Sequence, residues 1–237
     1  MGQKKQQRFA ELKTFPNVLQ FPGNMKGKWN EFFKNENPVI LELACGKGEY
    51  ALGLGELFPQ KNFIGVDIKG NRIWVGAKKA LQQQLANVAF LRTEIDKIAD
   101  YFSESEISEI WITFPDPQLR ISKAKKRLTH PKFLRLYQQI LVPNGLVHLK
   151  TDSPDLYHFT KLITGNYHCL PVSDYDDLYS LRNIPAELQI KTHYESLDIA
   201  QSKRVHYLCF SLPDRLPGKE KDEELKNLLS QKQVTEI

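Results

Sequence analysis

The sequence predicts an α/β fold, a mostly parallel sheet covered by helices on both faces. Three observations carry that expectation. From Pro38 onward, short apolar runs alternate with stretches of helical spacing. The runs are nearly continuous in apolar residues, as in strands buried on both faces. A glycine turn or an acidic residue follows one run after another, as at the ligand edge of an open α/β sheet.

Taken in order, Val39-Ile40-Leu41 is the first strand and runs into Gly46 and Gly48. Asn62-Phe63-Ile64-Gly65-Val66 is the second and ends on Asp67. Ile73, Trp74, Ala77, Ala80 and Leu81 then recur at helical spacing. Val88-Ala89-Phe90-Leu91 and Ile110-Trp111-Ile112-Thr113-Phe114 are the third and fourth strands. A helix from Phe133 to Leu141, closed by Pro143-Asn144-Gly145, leads into a fifth strand from Leu146 to Leu149. Beyond Gly165 the spacing loosens. Val205 to Leu212 is a late strand, antiparallel if it adds beside the fifth. The chain divides into a basic N-terminal arm (1–37), one domain (38–212) and a charged tail (213–237). The arm is expected to lie on the domain without joining its core, and the tail to fray.

The bulk properties narrow the setting. A length of 237 residues suits one sizeable α/β domain. Lys and Arg exceed Asp and Glu only by 33 to 28, so the placement of the cations matters more than their number. Cys45, Cys169 and Cys209 are odd in number and lack CxxC spacing, which argues against disulfides or zinc. No histidine pair has metal-helix spacing, so no metal is expected. No apolar run approaches the roughly 20 residues of a membrane span. Position 6 is Gln, so Met1-Gly2 is not a myristoylation signal. The expectation is a cytoplasmic protein, monomeric or homodimeric.

The chemistry gathers at the strand ends. Glu42-Leu43-Ala44-Cys45-Gly46-Lys47-Gly48 follows the first strand, and Gly46 and Gly48 let the backbone approach a ligand closely. A dinucleotide site would need GxGxxG, and Glu42 would repel a diphosphate. A carboxylate there suits a cationic cofactor bearing an amino group and a sulfonium, namely S-adenosylmethionine. Asp67 is placed to accept ribose hydroxyls, and Glu94 to accept from an adenine amino group. A tight turn without ligand is the bland alternative for the loop, as a helix cap is for Glu94.

Phe114-Pro115-Asp116-Pro117 has little backbone freedom and holds Asp116 at the mouth of the expected pocket. Arg120, Lys123, Lys125, Lys126, Arg127, Lys132 and Arg135 follow with no acid among them. Such a run is often a solvated face. Beside a catalytic edge, and with Lys4, Lys5 and Arg8 in the arm, it reads as a footprint for an RNA backbone. Asp152 closes the fifth strand, and its carboxylate can accept from the N1–H and amino group of guanine. Thr192, His193, Tyr194 and Glu195 add a hydroxyl, an aromatic face and a second carboxylate. Cys45 lacks a paired base and reads as structural.

At these residues the chain resembles the tRNA (guanine-N7-)-methyltransferase family. The matching pieces are ELACGKG at 42–48, GVD at 65–67, FPDP at 114–117, KKRL at 125–128, TD at 151–152 and THYE at 192–195. The resemblance spans roughly residues 38–210. It implies a Rossmann-like class I methyltransferase fold with a mostly parallel, seven-stranded sheet. It further implies that Glu42, Asp67, Glu94 and Asp116 line the S-adenosylmethionine site. Arg120, Asp152 and Thr192 through Glu195 would meet a guanine of the tRNA variable loop; the catalytic role expected of Asp116 and Asp152, from the chemistry of N7, is to orient that base. The pattern departs in two places. Gln118, Leu119, Arg120 and Ile121 stand where the family usually has Trp, Pro and paired lysines, and Ala44 stands for a usual Gly. Guanine N7 has a free lone pair, so direct displacement without a general base is expected. The rival readings are a methyltransferase for another RNA, and a catalytically silent protein that binds the cofactor and RNA.

Overall fold

A computed structural model describes residues 2–197 and 204–235, without the side chains of residues 2–5, 196 and 230–235. Lys4 and Lys5, counted above with the basic arm, therefore have side chains outside the described set. The chain runs α1 (Gly2–Leu12), β1 (Val18–Gln20), α2 (Trp29–Phe33), β2 (Val39–Leu43), α3 (Glu49–Leu57), β3 (Asn62–Asp67), α4 (Gly70–Gln82) and β4 (Val88–Arg92). It continues through β5 (Ile107–Thr113), α5 (Pro131–Gln138), β6 (Leu141–Thr151), α6 (Pro154–Asn166), β7 (Leu170–Tyr175), β8 (His206–Ser211) and α7 (Glu220–Thr235).

The sheet order is β1-β4-β3-β2-β5-β6-β8-β7. Pairings from β1 through β6 are parallel, while β8 runs antiparallel to both β6 and β7. The antiparallel placement of the late strand beside β6 is as expected from its sequence position. The order reverses between β2 and β5, which puts the switch point at the carboxyl end of β2.

Alternation along the strands explains the two-sided core. Val39, Leu41 and Leu43 of β2 face the layer of α5 and α6, with Leu134, Leu149 and Phe159. Ile40 faces the other layer, with Tyr50 and Leu54 of α3 and Ile73 and Ala77 of α4. Each fully buried aliphatic side chain contributes about 1.5–3 kcal/mol, so both layers are strongly specified.

Four expectations change. The sheet has eight strands where seven were expected, because β1 adds parallel to the edge of β4. The stretch before Pro38 does more than lie on the domain. Trp29 is buried, donates from Nε1 to the Tyr101 carbonyl at 3.0 Å and stacks on Phe102. Trp74 on α4 donates to Glu11 of α1 at 2.9 Å, and Arg8 lies over the Trp74 ring. The tail is docked at α7: Leu225 is buried, and Asp222 accepts from Arg135 at 2.8 and 2.9 Å and from Tyr167 at 2.6 Å. Finally, Pro143-Asn144-Gly145 does not close a helix. The helix ends at Gln138, and the three residues form an irregularity inside β6, with Asn144 at φ 61°.

Candidate active site

Glu42 occupies the position on β2 that points, like Ile40, toward α3. It is buried beneath the turn, where Oε2 accepts the Ala51 N–H at 2.8 Å and Oε1 accepts the Thr113 hydroxyl at 3.2 Å. Burial pushes its carboxyl up to about 8, and the nearby Glu49 charge pushes the same way. The Ala51 N–H and the Thr113 hydroxyl are both neutral donors, so neither brings a positive charge to the carboxyl.

The turn that follows is built on left-handed backbone: Ala44 at φ 55°, Gly46 at 57° and Gly48 at 68°. At Gly48 a Cβ would also run into the Phe90 ring, so only glycine lets the turn pack onto β4. Asp67 fixes the turn from the next strand. Its Oδ2 accepts the Gly46 N–H at 3.0 Å and its Oδ1 accepts the Lys69 N–H at 2.8 Å. Each oxygen keeps a second lone pair for a ligand. Glu94 stands at the start of a short 3-10 helix without capping it by its side chain, and pairs with Lys97 at 3.2 Å.

After β5, Phe114 takes φ 46° and donates its N–H to the Lys150 carbonyl at 2.8 Å. Asp116 accepts the Gln118 N–H at 3.0 Å. The loop is then gripped from below by Arg127. Its guanidinium is buried over the Phe159 ring and donates to the carbonyls of Pro117 at 3.1 Å, Gln118 at 3.2 Å and Leu119 at 3.4 Å. Burial pulls that guanidinium below its usual value. Arg127 and the Asp222-bound Arg135 thus leave the expected RNA footprint. Both face inward, whereas Arg120, Lys123, Lys125 and Lys126 are exposed.

The late segment also turns partly inward. Thr192 Oγ1 accepts the Glu195 N–H at 3.1 Å. The Glu195 carboxylate pairs with the buried Lys150 at 3.2 Å and accepts the Tyr179 hydroxyl. His193 is exposed, with its ring 5.9 Å from that of Tyr194. The Tyr194 ring stands on the open side of Gly46, 4.0 Å from where a Cβ there would be, and the Arg72 guanidinium sits 5.3 Å from the ring centre.

A cavity of about 1140 Å³ opens at these strand ends. That exceeds the roughly 300–1,000 Å³ of ordinary small-molecule sites. Asp67, Glu94, Asp116, Asp152 and Tyr194 line it together with Ala44. Glu42 stands beneath the turn, Arg120 lies outside the lining, Glu195 faces Lys150, and Thr192 is hydrogen-bonded to Glu195. Sequence reading missed Lys150, Lys69 and Arg72. Lys150 carried a signal, a cation directly between the fifth apolar run and Thr151-Asp152. Among the described residues no cluster of His, Cys, Asp and Glu could hold a metal ion, and no helix is long and apolar enough to cross a membrane.

A family described as "Putative methyltransferase" matches residues 36–208. A tRNA (guanine-N(7)-)-methyltransferase of Bacteroides fragilis is 46% identical over 236 residues, covering 95% of this chain and 92% of that one. The chain belongs to the tRNA (guanine-N7-)-methyltransferase family. The enzyme of that name from Porphyromonas gingivalis is 47% identical, with 85% of this chain and 86% of that one covered. Among solved structures, the 16S rRNA methyltransferase KamB superposes with a TM-score of 0.60 at 13% identity, over 78% of this chain and 93% of that one. At that identity the likeness speaks for the fold, which is that of a Rossmann-like methyltransferase.

Proposed function

We propose that this chain transfers a methyl group from S-adenosylmethionine to N7 of a guanine in the variable loop of tRNA. One observation carries the reading: four strand ends bring Asp67, Glu94, Asp116 and Asp152 to one cavity with room for a nucleoside cofactor and a base.

The residues present fit the cofactor. Glu42 is a buried carboxyl with only neutral donors around it, and a cationic ligand above the turn supplies what it lacks. Asp67 would hold the ribose hydroxyls and Glu94 the adenine amino group. Ile68 and Ile95 add apolar wall beside them. When bound, S-adenosylmethionine supplies a methyl group on a positively charged sulfur.

The chain's own task is positioning. The N7 lone pair carries no proton, so Asp116 and Asp152 have none to remove. They accept from the N1–H and amino group of guanine and hold the base in line. Their negative charge also favours the positive charge that builds on the purine as the bond to N7 forms. Arg120, Lys123, Lys125 and Lys126 take the phosphate backbone. The reading is of a cytoplasmic enzyme, monomeric or homodimeric.

The test is nucleoside analysis of unmodified tRNA incubated with purified protein and cofactor. N7-methylguanosine should appear, and Asp152→Ala should abolish it while cofactor binding stays within about threefold, since Asp152 acts on the base. Full activity in that variant would sink the role given to Asp152. Salt-dependent tRNA binding without any transfer would replace the whole reading with that of a silent binder.

A further inference from the structure

Lys150 is the residue before Thr151-Asp152 on β6, and its side chain is 0% exposed. The ammonium donates to the carbonyls of Leu188 and Ile190, each at 2.9 Å, to Glu195 Oε2 at 3.2 Å and to the Tyr179 hydroxyl oxygen at 3.3 Å. The rings of Tyr50, Phe114 and Tyr179 surround it at 5.4, 5.7 and 5.6 Å. Its backbone carbonyl accepts the Phe114 N–H. One residue therefore touches α3 behind the cofactor turn, the loop of Asp116 and the segment of Tyr194, and precedes Asp152 by two positions.

A buried ion pair is a poor way to gain stability, because well-packed apolar side chains of similar volume do as well or better. What an apolar side chain cannot do is gather two carbonyls and a carboxylate onto one point. Three N–H donors can. The gathered atoms belong to the stretch 188–195, and Tyr194 in that stretch lines the cavity with Ala44, its ring 4.0 Å from where a Cβ on Gly46 would stand.

We propose that Lys150 is a positioning residue for methyl transfer: through Leu188, Ile190 and Glu195 it sets Tyr194 over the cofactor turn, in register with Asp116 and Asp152. This rests on the function proposed above. Lys150 touches neither base nor cofactor. It acts by fixing where the walls of the cavity stand relative to each other, and a misplacement of about 1 Å at such a site costs on the order of 100-fold in rate.

The experiment uses the full chain and counts active sites by S-adenosylmethionine binding. Lys150→Met should lower kcat per cofactor-binding site by about 100-fold, with the cofactor Kd within about fivefold. A merely structural lysine would instead reduce thermal stability or the number of competent sites and leave kcat per site at the wild-type level, and that result overturns the proposal. If Lys150→Met does not fold, Tyr179→Phe decides. It removes only the hydroxyl that holds Glu195, at a partly exposed position. A several-fold fall in kcat per site supports the proposal, and an unchanged kcat overturns it. A wild-type protein that makes no N7-methylguanosine overturns the proposed function itself, whereas an active wild type with an equally active Lys150→Met overturns this inference alone.

Discussion

Glu42→Gln separates the burial of a carboxyl from the burial of its charge. In the wild type, burial between Ala51 and Thr113 raises the carboxyl from 4.5 to about 8. Over that window the native state holds a proton that the unfolded chain has released. The group's stabilising contribution is therefore complete below pH 4.5 and is lost as pH rises through about 8. At about 1.4 kcal/mol per pH unit the loss has a ceiling of about 5 kcal/mol. Gln has no proton to lose. The stability of the variant relative to wild type should therefore rise by several kcal/mol between pH 4.5 and 8, read from urea midpoints across the range. Parallel curves, differing by less than about 1 kcal/mol over the window, would refute the reasoning. A cationic ligand reverses the balance by favouring the ionised carboxylate. S-adenosylmethionine binding near pH 7 should release a proton from the wild type and none from Glu42→Gln, seen by calorimetry in buffers of different ionisation enthalpy.

Three further perturbations address the turn, the loop and the RNA face. Ala44→Gly relieves a left-handed alanine at φ 55°, worth about 1–2 kcal/mol, against about 0.4–1 kcal/mol of added unfolded-state entropy. Its urea midpoint should not fall, and a clear drop would show that the turn is unstrained. Arg127→Met leaves three loop carbonyls without their donor, at a cost of about 2–3 kcal/mol. The rate of transfer should fall while the cofactor Kd holds, and a wild-type rate would detach Arg127 from the loop's placement. Replacing Lys123, Lys125 and Lys126 with Gln should flatten the salt dependence of tRNA binding, by about 0.7–0.9 in log–log slope per lost phosphate contact. An unchanged slope would move the RNA off this face.

The parts of the fold that could be read are those in which burial on both faces leaves an apolar record. β2, β3 and β4 each show such a run, and each stands where its run predicts. β1 leaves no record, because Val18, Leu19 and Gln20 are all half-buried on a three-residue edge strand. β7 leaves none either: Leu170 and Val172 are exposed and Pro171 interrupts it, so its sequence looks like a loop. For the site, acids immediately after strands were legible because strand position fixes where they emerge. Asp67, Glu94, Asp116 and Asp152 accordingly meet at one cavity. Orientation within a long connection is not encoded locally. Glu195 turns to Lys150 because the fold brings 188–195 to that side chain, a tertiary fact. Charge alone likewise cannot tell Arg127, buried over Phe159, from Lys126, which is exposed.

That buried arginine bears on the longer of the two departures from the family pattern that the sequence resembles. Gln118, Leu119 and Arg120 replace the residues the family usually carries, which raises the question whether the loop of Asp116 still stands correctly. The hydrogen bonds that hold this loop are made to its backbone: Arg127 to the carbonyls of 117, 118 and 119, Asp116 to the Gln118 N–H, and Phe114 N–H to Lys150. None of these depends on the side chains at 118 to 120. On the function proposed above, the substitutions change what the loop presents to RNA while leaving its course to Arg127 and Lys150. At 120 the cation is kept but becomes a planar fork, better suited to gripping a phosphate by two bonds than the point charge of a lysine. On that same proposal, the altered segment is a difference in how tRNA is held, and the placement of Asp116 at the cavity does not hang on it.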